Sequence, residues 1–229
     1  MAVALRQLKP FVRDGQAIET GPPLPLFHGA RPREILGNWL ICAAINHEYG
    51  SEALTFVSDP EGGDGIIVDR KSGAVATTEH IIVPRARTLE GSDSTALILA
   101  AIKQKRAKGG NAYASGKTLV VMLHRDAGRW FPTRLTQELP APLYFDDVWV
   151  VGLVLACAGE YTYSVTKLDL SEGNAPAWLV WVSRTFRNWR VHAYQRGRWS
   201  DPRPLEEIIK AKLKPARSRA PKQRKRSSL

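Results

Sequence analysis

The run Thr118–His124, TLVVMLH, is apolar at every position from Leu119 to Leu123 and shows none of the alternation of a half-exposed strand. A strand of that kind has to be covered on both faces, which demands a layered fold with helices on either side of a sheet. The chain supplies such helices. From Pro32 to His47 the residues Ile35, Leu36, Trp39, Leu40, Ala43 and Ala44 recur at helical spacing, with Pro32 suited to a first helical position and Gly50 to a stop. A second helix, TALILAAIKQKRAK, is predicted to start from Asp93 or Ser94 as cap and to close at Gly109-Gly110.

Between these helices lie predicted strands at Leu54–Val57, Ile66–Val68 and Ala74–Val83. The last two are joined by the turn Asp69-Arg70-Lys71-Ser72-Gly73 into a hairpin. Beyond the apolar strand, further strands are expected at Val148–Ala156, Tyr161–Leu168, Trp178–Ser183 and Arg190–Tyr194. The order is helix, three strands, helix, strand, then a strand-rich remainder. It predicts an α/β or α+β mixed sheet with at least one helical crossover. Residues 1–30, with Pro10, Gly15, Gly21, Pro22, Pro23, Pro25 and Gly29, read as an extended arm. A single domain is expected over 31–200 and a disordered tail over 201–229.

Charge has to be located before it is interpreted. The chain has 229 residues and a net charge of +11. Residues 210–229 hold nine lysines and arginines and no acid, among them Arg224, Lys225 and Arg226, so the rest of the chain carries only two of those charges. The tail is too hydrophilic and self-repelling to fold alone, and it suits either phosphate tracking by counterion release or a plain solvated end. No apolar run approaches the roughly 20 residues of a membrane span. The start of the chain has no signal-peptide core, and Cys42 and Cys157 have no CxxC partner. These features point to the cytoplasm as the compartment, at the nucleoid if the source is bacterial.

The segment GGDGIIVDRKSGAVATTEHIIVP, residues 62–84, concentrates the candidate chemistry. Asp64 opens one strand of the hairpin, and Glu79 and His80 lie on its partner. Adjacent strands stand about 4.8 Å apart, so carboxylates at their paired ends can share one hard cation. Two carboxylates around Mg²⁺, or Mn²⁺ in its place, can polarise a phosphodiester and activate a water. Alternation sends Glu79 and His80 to opposite faces, so only one of them can share a site with Asp64 unless a bulge intervenes. Turn chemistry at Asp64-Gly65 and a solvated Glu79 explain the same residues without any metal.

The succession of these parts resembles the PD-(D/E)XK, or restriction-endonuclease-like, superfamily: a helix beginning near Glu34, GGDGIIVD, a hairpin to ATTEHIIV, the helix ALILAAIKQKRAK with Tyr113 after it, and TLVVMLH. The resemblance covers about residues 33–124, and Phe145–Leu155 is similar to a further sheet strand. It implies an αβββαβ core, here with a strand-rich C-terminal extension, and a metal-dependent nuclease acting on nucleic acid, DNA for preference. Residue by residue, the first acid matches Asp64, with Gly63 where a proline is usual. The strand acid matches Glu79, but the lysine position two residues on is Ile81. A register shifted to Ala76 would put Thr78 there and leave no acid. Some members supply the lysine from the next helix, which makes Lys103 or Lys105 the candidate, Lys105 preferred. The first-helix acid would be Glu34, and His80 a ligand or general base. Asp64, Glu79 and Glu34 are thus the expected metal ligands. The departure at Ile81 leaves a second possibility: a catalytically degenerate member serving as a nucleic-acid-binding or assembly module.

Lys103, Lys105, Arg106 and Lys108 also have an ordinary reason to cluster, since cations are favourable in the last turn of a helix. In the C-terminal third, Arg187 and Arg190 interleave with tryptophans. Such a pattern can stack bases and clamp phosphates, or simply alternate across a hairpin that extends the sheet. GGNAYASGKT lacks the spacing of a phosphate loop, having Asn111 where glycine is needed, and no GxSxG supports acyl transfer.

Overall fold

The computed structural model describes residues 1–13, 15–83, 93–124, 129–169, 173 and 175–195. Six helices, α1 (Ala2–Arg13), α2 (Gly15–Thr20), α3 (Pro32–Glu48), α4 (Thr95–Ala107), α5 (Gly110–Ala114) and α6 (Pro132–Glu138), surround one mixed sheet. Its strands are β1 (Leu54–Val57), β2 (Ile66–Asp69), β3 (Val75–Val83), β4 (Lys117–Leu123), β5 (Asp147–Cys157), β6 (Glu160–Leu168), β7 (Ala177–Val182) and β8 (Trp189–Gln195). The strands lie side by side in sequence order, β1 to β8. Only β3–β4 and β4–β5 pair in parallel, and those are the two connections that carry helices, α4–α5 and α6. Every other neighbouring pair is antiparallel.

The sheet curls around α3, which touches both edge strands as well as most of the strands between them. Eleven consecutive residues of this helix, Glu34 to Ala44, are buried. A helix apolar on every side can only be a central one, and α1 closes over the side that the sheet leaves open. On the sheet's α3 face the core holds Val120, Met122, Trp149, Val151, Trp178 and Val180. On the opposite face Leu119, Val121, Leu123, Val148 and Val150 pack beneath α4 and α6. The apolar run of β4 thus feeds both cores in alternation, as its composition demanded.

One expectation is corrected. Residues 2–13 are a helix of the core rather than part of an extended arm: Leu5, Leu8 and Val12 recur at helical spacing and are buried, while Pro10 sits on the exposed side. The glycines and prolines that suggested an arm fall almost wholly after that helix. Helix α4 ends before Gly109-Gly110 as expected, but the chain turns at Gly110 straight into α5, which was not anticipated. The short α6, which buries Leu135 and Thr136 beside Pro132, was not anticipated. The basic tail, with Arg224, Lys225 and Arg226, lies outside the described residues. No helix among the described residues is long and apolar enough to cross a membrane.

Candidate active site

The two strands of the β2–β3 hairpin pair only over Ile66–Val68 and Val75–Thr77, and β3 then runs on to Val83 beside β4 alone. Asp64 stands at this fork. Thr78 still donates its backbone N–H to the Gly65 carbonyl at 2.8 Å. The next outward N–H of β3, that of His80, donates to Asp64 Oδ2 at 2.6 Å. The carboxylate therefore takes the place of a ladder carbonyl, which fixes it against the strand. Gly65 is required by the same geometry: its φ is +141°, and a Cβ there would come within 2.4 Å of Asn38 Nδ2.

Glu79 and His80 do face opposite ways. Glu79, 8% exposed, points to the α4 side, where its Oε2 meets Lys105 Nζ at 2.9 Å and its Oε1 meets Lys117 Nζ at 3.0 Å. The Tyr113 hydroxyl lies near enough to lower this carboxyl as well. Burial acts to raise the Glu79 carboxyl, but these three partners outweigh it and hold it down to about 2. Lys105 is pushed up: burial works against its charge, and its bonds to Glu79 and Tyr113 prevail. Lys105 lies on the α4 face that also buries Ile98 and Ile102, so helical spacing carries it to the strand.

The His80 ring turns instead to α3. Its Nε2 is 3.1 Å from Asn38 Oδ1, and Asn38 Nδ2 donates to the Asp64 carbonyl at 3.4 Å. Burial, with the Arg33 and Lys105 charges behind it, lowers this imidazole to about 3, so it is neutral at pH 7. Nδ1 has no hydrogen-bond partner among the described residues and abuts Gly37. The His80 ring is therefore held away from the Glu79 side, while its backbone N–H fixes the Asp64 carboxylate.

Glu34 caps its own helix, accepting from the Arg31 backbone N–H at 2.8 Å and pairing with Arg33 at 3.2 Å. Burial and the nearby Asp64 raise its carboxyl above the usual range, against the Arg31 bond. Asp64 is raised in turn, first by burial and then by repulsion from Glu79. Acids from three elements thus press on one another here.

Among the described residues, no three acidic, histidine or cysteine side chains stand close enough to enclose a metal by themselves. Mg²⁺ asks for less, since it commonly takes one or two carboxylates and fills its octahedron with water and substrate oxygens. Asp64 with Glu34 or Glu79 offers that donor set, and the mutual repulsion is what a divalent cation would relieve.

The structure joins Glu79 to Lys105 and Asp64 to the His80 backbone, and sets Glu34 and Glu79 near enough to Asp64 for their charges to act on one another. It leaves Lys103 exposed on α4 and ties Arg106 to the Pro142 carbonyl at 2.6 Å and to the Tyr144 ring. Arg190 lies over Trp181, and Arg187 lines a small hollow with Ala2 and Arg6. Both belong to the opposite end of the strand order from the hairpin. Sequence reasoning missed Lys117 and Asn38. Only the parallel pairing Thr77↔Lys117 carries the lysine to Glu79, and nothing local announces that pairing. No protein-family model, curated protein or solved structure matches the chain.

Proposed function

We propose that this chain is a metal-dependent phosphodiesterase of the PD-(D/E)XK, restriction-endonuclease-like kind, acting on nucleic acid, DNA for preference. One observation carries the reading: Asp64 at the strand fork stands by Glu79, and Lys105 reaches Glu79 from the following helix at 2.9 Å. That placement supplies the cation missing at Ile81.

Asp64 would hold the cation with Glu34 or Glu79. When bound, Mg²⁺ supplies Lewis-acid polarisation of the phosphate and a more acidic water. The protein's own contribution is positional. Asn38 and the neutral His80 keep Asp64 aimed, and Glu79 and Lys105 fix each other. The Lys105 ammonium offsets charge that grows on the phosphate oxygens as a water oxygen bonds to phosphorus and the ester P–O bond breaks. The basic tail would add sequence-independent affinity for the polyanion.

Plasmid nicking in Mg²⁺ or Mn²⁺ tests the reading. Wild type should nick, whereas Asp64→Ala and Glu79→Ala should each lose at least about a hundredfold in rate. A second reading has its own support: both oxygens of Glu79 are already occupied by ammonium groups. That arrangement suits a degenerate site in a nucleic-acid-binding or assembly module. DNA binding without nicking in either metal would decide for it.

A further inference from the structure

Lys105 and Lys117 grip the same carboxylate but differ in what else they do. Lys105 is 13% exposed, belongs to α4 and also reaches the His80 carbonyl at 3.5 Å. Lys117 is 29% exposed and is the first residue of β4, directly after Gly116. Its ammonium sits 4.3 Å from the centre of the Tyr113 ring. Lys108, at the end of α4, approaches the same ring at 5.7 Å, and Lys105 at 5.6 Å. Three ammonium groups therefore surround one aromatic ring with Glu79 as the carboxylate among them. A cleft of about 530 Å³ opens beside them, walled by Ile81, Ile82, Ala101 and Gln104 and flanked by Lys105 and Lys108.

The cationic excess suits a phosphate group, and Lys117 is the more exposed of the two lysines that hold Glu79. A carboxylate has about four lone-pair directions, and Lys105 and Lys117 occupy one on each oxygen of Glu79. We infer that Lys117 and Lys108, gathered about the Tyr113 ring, form a phosphate-binding subsite, and that Lys117 transfers from Glu79 to the phosphate when substrate arrives, releasing Glu79 Oε1 toward the metal. This rests on the hydrolytic reading above and adds the order within it: phosphate and metal bind cooperatively because both draw on one ion pair. Linkage then requires each to tighten the other by the same factor.

The test titrates Mn²⁺ into the full chain and follows free Mn²⁺ by electron paramagnetic resonance, with thymidine 5′-monophosphate, thymidine or no addition. In wild type the monophosphate should tighten Mn²⁺ about fivefold or more, and thymidine should do nothing. Lys117→Met should bind Mn²⁺ more tightly than wild type without any nucleotide, and the monophosphate should then add less than about twofold. Lys108→Met separates release of Glu79 from a general loss of positive charge. It should weaken the monophosphate while leaving Mn²⁺ affinity alone. Unchanged or weaker Mn²⁺ binding in Lys117→Met, or equal tightening in Lys108→Met, overturns the inference while leaving the metal site standing. No Mn²⁺ binding in wild type, Lys117→Met or Lys108→Met removes the hydrolytic reading and the inference with it. Circular dichroism of each variant establishes that the comparison is between folded proteins.

Discussion

His80 meets the candidate site through its backbone, while its ring is turned into the core. Its ring is nearly enclosed and pushed to about 3, whereas the unfolded chain takes a proton below the ordinary value near 6.5. The neutral ring's contribution is therefore complete above that pH and is lost as the solution is acidified toward 3. At pH 5 the loss is on the order of 2 kcal/mol. Urea unfolding at pH 7 and pH 5 should show it, and His80→Gln should lack that part of the drop. Asp64 behaves in the opposite sense. Its carboxyl is raised, so its charge burdens the fold at neutral pH. Asp64→Asn keeps an acceptor for the His80 N–H and removes the charge. It should raise stability by about 1 kcal/mol while abolishing metal binding, a trade common at functional sites. An Asp64→Asn variant less stable than wild type at pH 7 would count against that account of the site. Of these residues, Asp64, Glu79 and Lys105 were legible from turn chemistry and helical spacing together with the family resemblance. Asn38 and Lys117 were not, because each reaches the site only through packing between elements far apart in the chain.

At the scale of elements, the contact of α3 with β3 is set by Gly37. A Cβ there would stand 2.7 Å from His80 Cε1 and 3.2 Å from both His80 Nδ1 and Val120 Cγ1. Alanine for glycine inside a helix ordinarily stabilises by about 1 kcal/mol. Here Gly37→Ala should destabilise by about 1–3 kcal/mol, because the ring and Val120 have no room to yield. Thermal melting would read the sign. The N-terminal helix permits a second test. Leu8 is fully buried in α1, so Leu8→Ala should cost about 2–5 kcal/mol, as in any core and unlike an arm. Long elements with strong periodicity, α3, α4 and β4 to β8, could be read from the sequence to within a residue or two. The N-terminal helix could not, since its four buried residues share a region with many glycines and prolines. Nor could α6, whose two turns bury too little apolar surface to leave a pattern.

For the whole molecule, the concentration of charge at one end of the sequence has a measurable effect. Nine of the eleven net positive charges fall in residues 210–229, while the candidate site belongs to the folded body. Removing those residues should flatten the salt dependence of DNA binding by several units of log–log slope, since each phosphate contact contributes about 0.9. Residual binding should persist in the body, and an unchanged slope would show that the tail makes no such contacts. The curled sheet has a further consequence, for the chain as it is made. The central helix is complete once Glu48 has been synthesised, yet the Trp178 indole that bonds Glu48 lies 130 residues downstream. At the usual pace of translation that interval is roughly 7–26 s. Throughout it, a helix apolar on every side has only part of its cover, so the growing chain depends on slow exposure being tolerated or shielded until its last strands emerge.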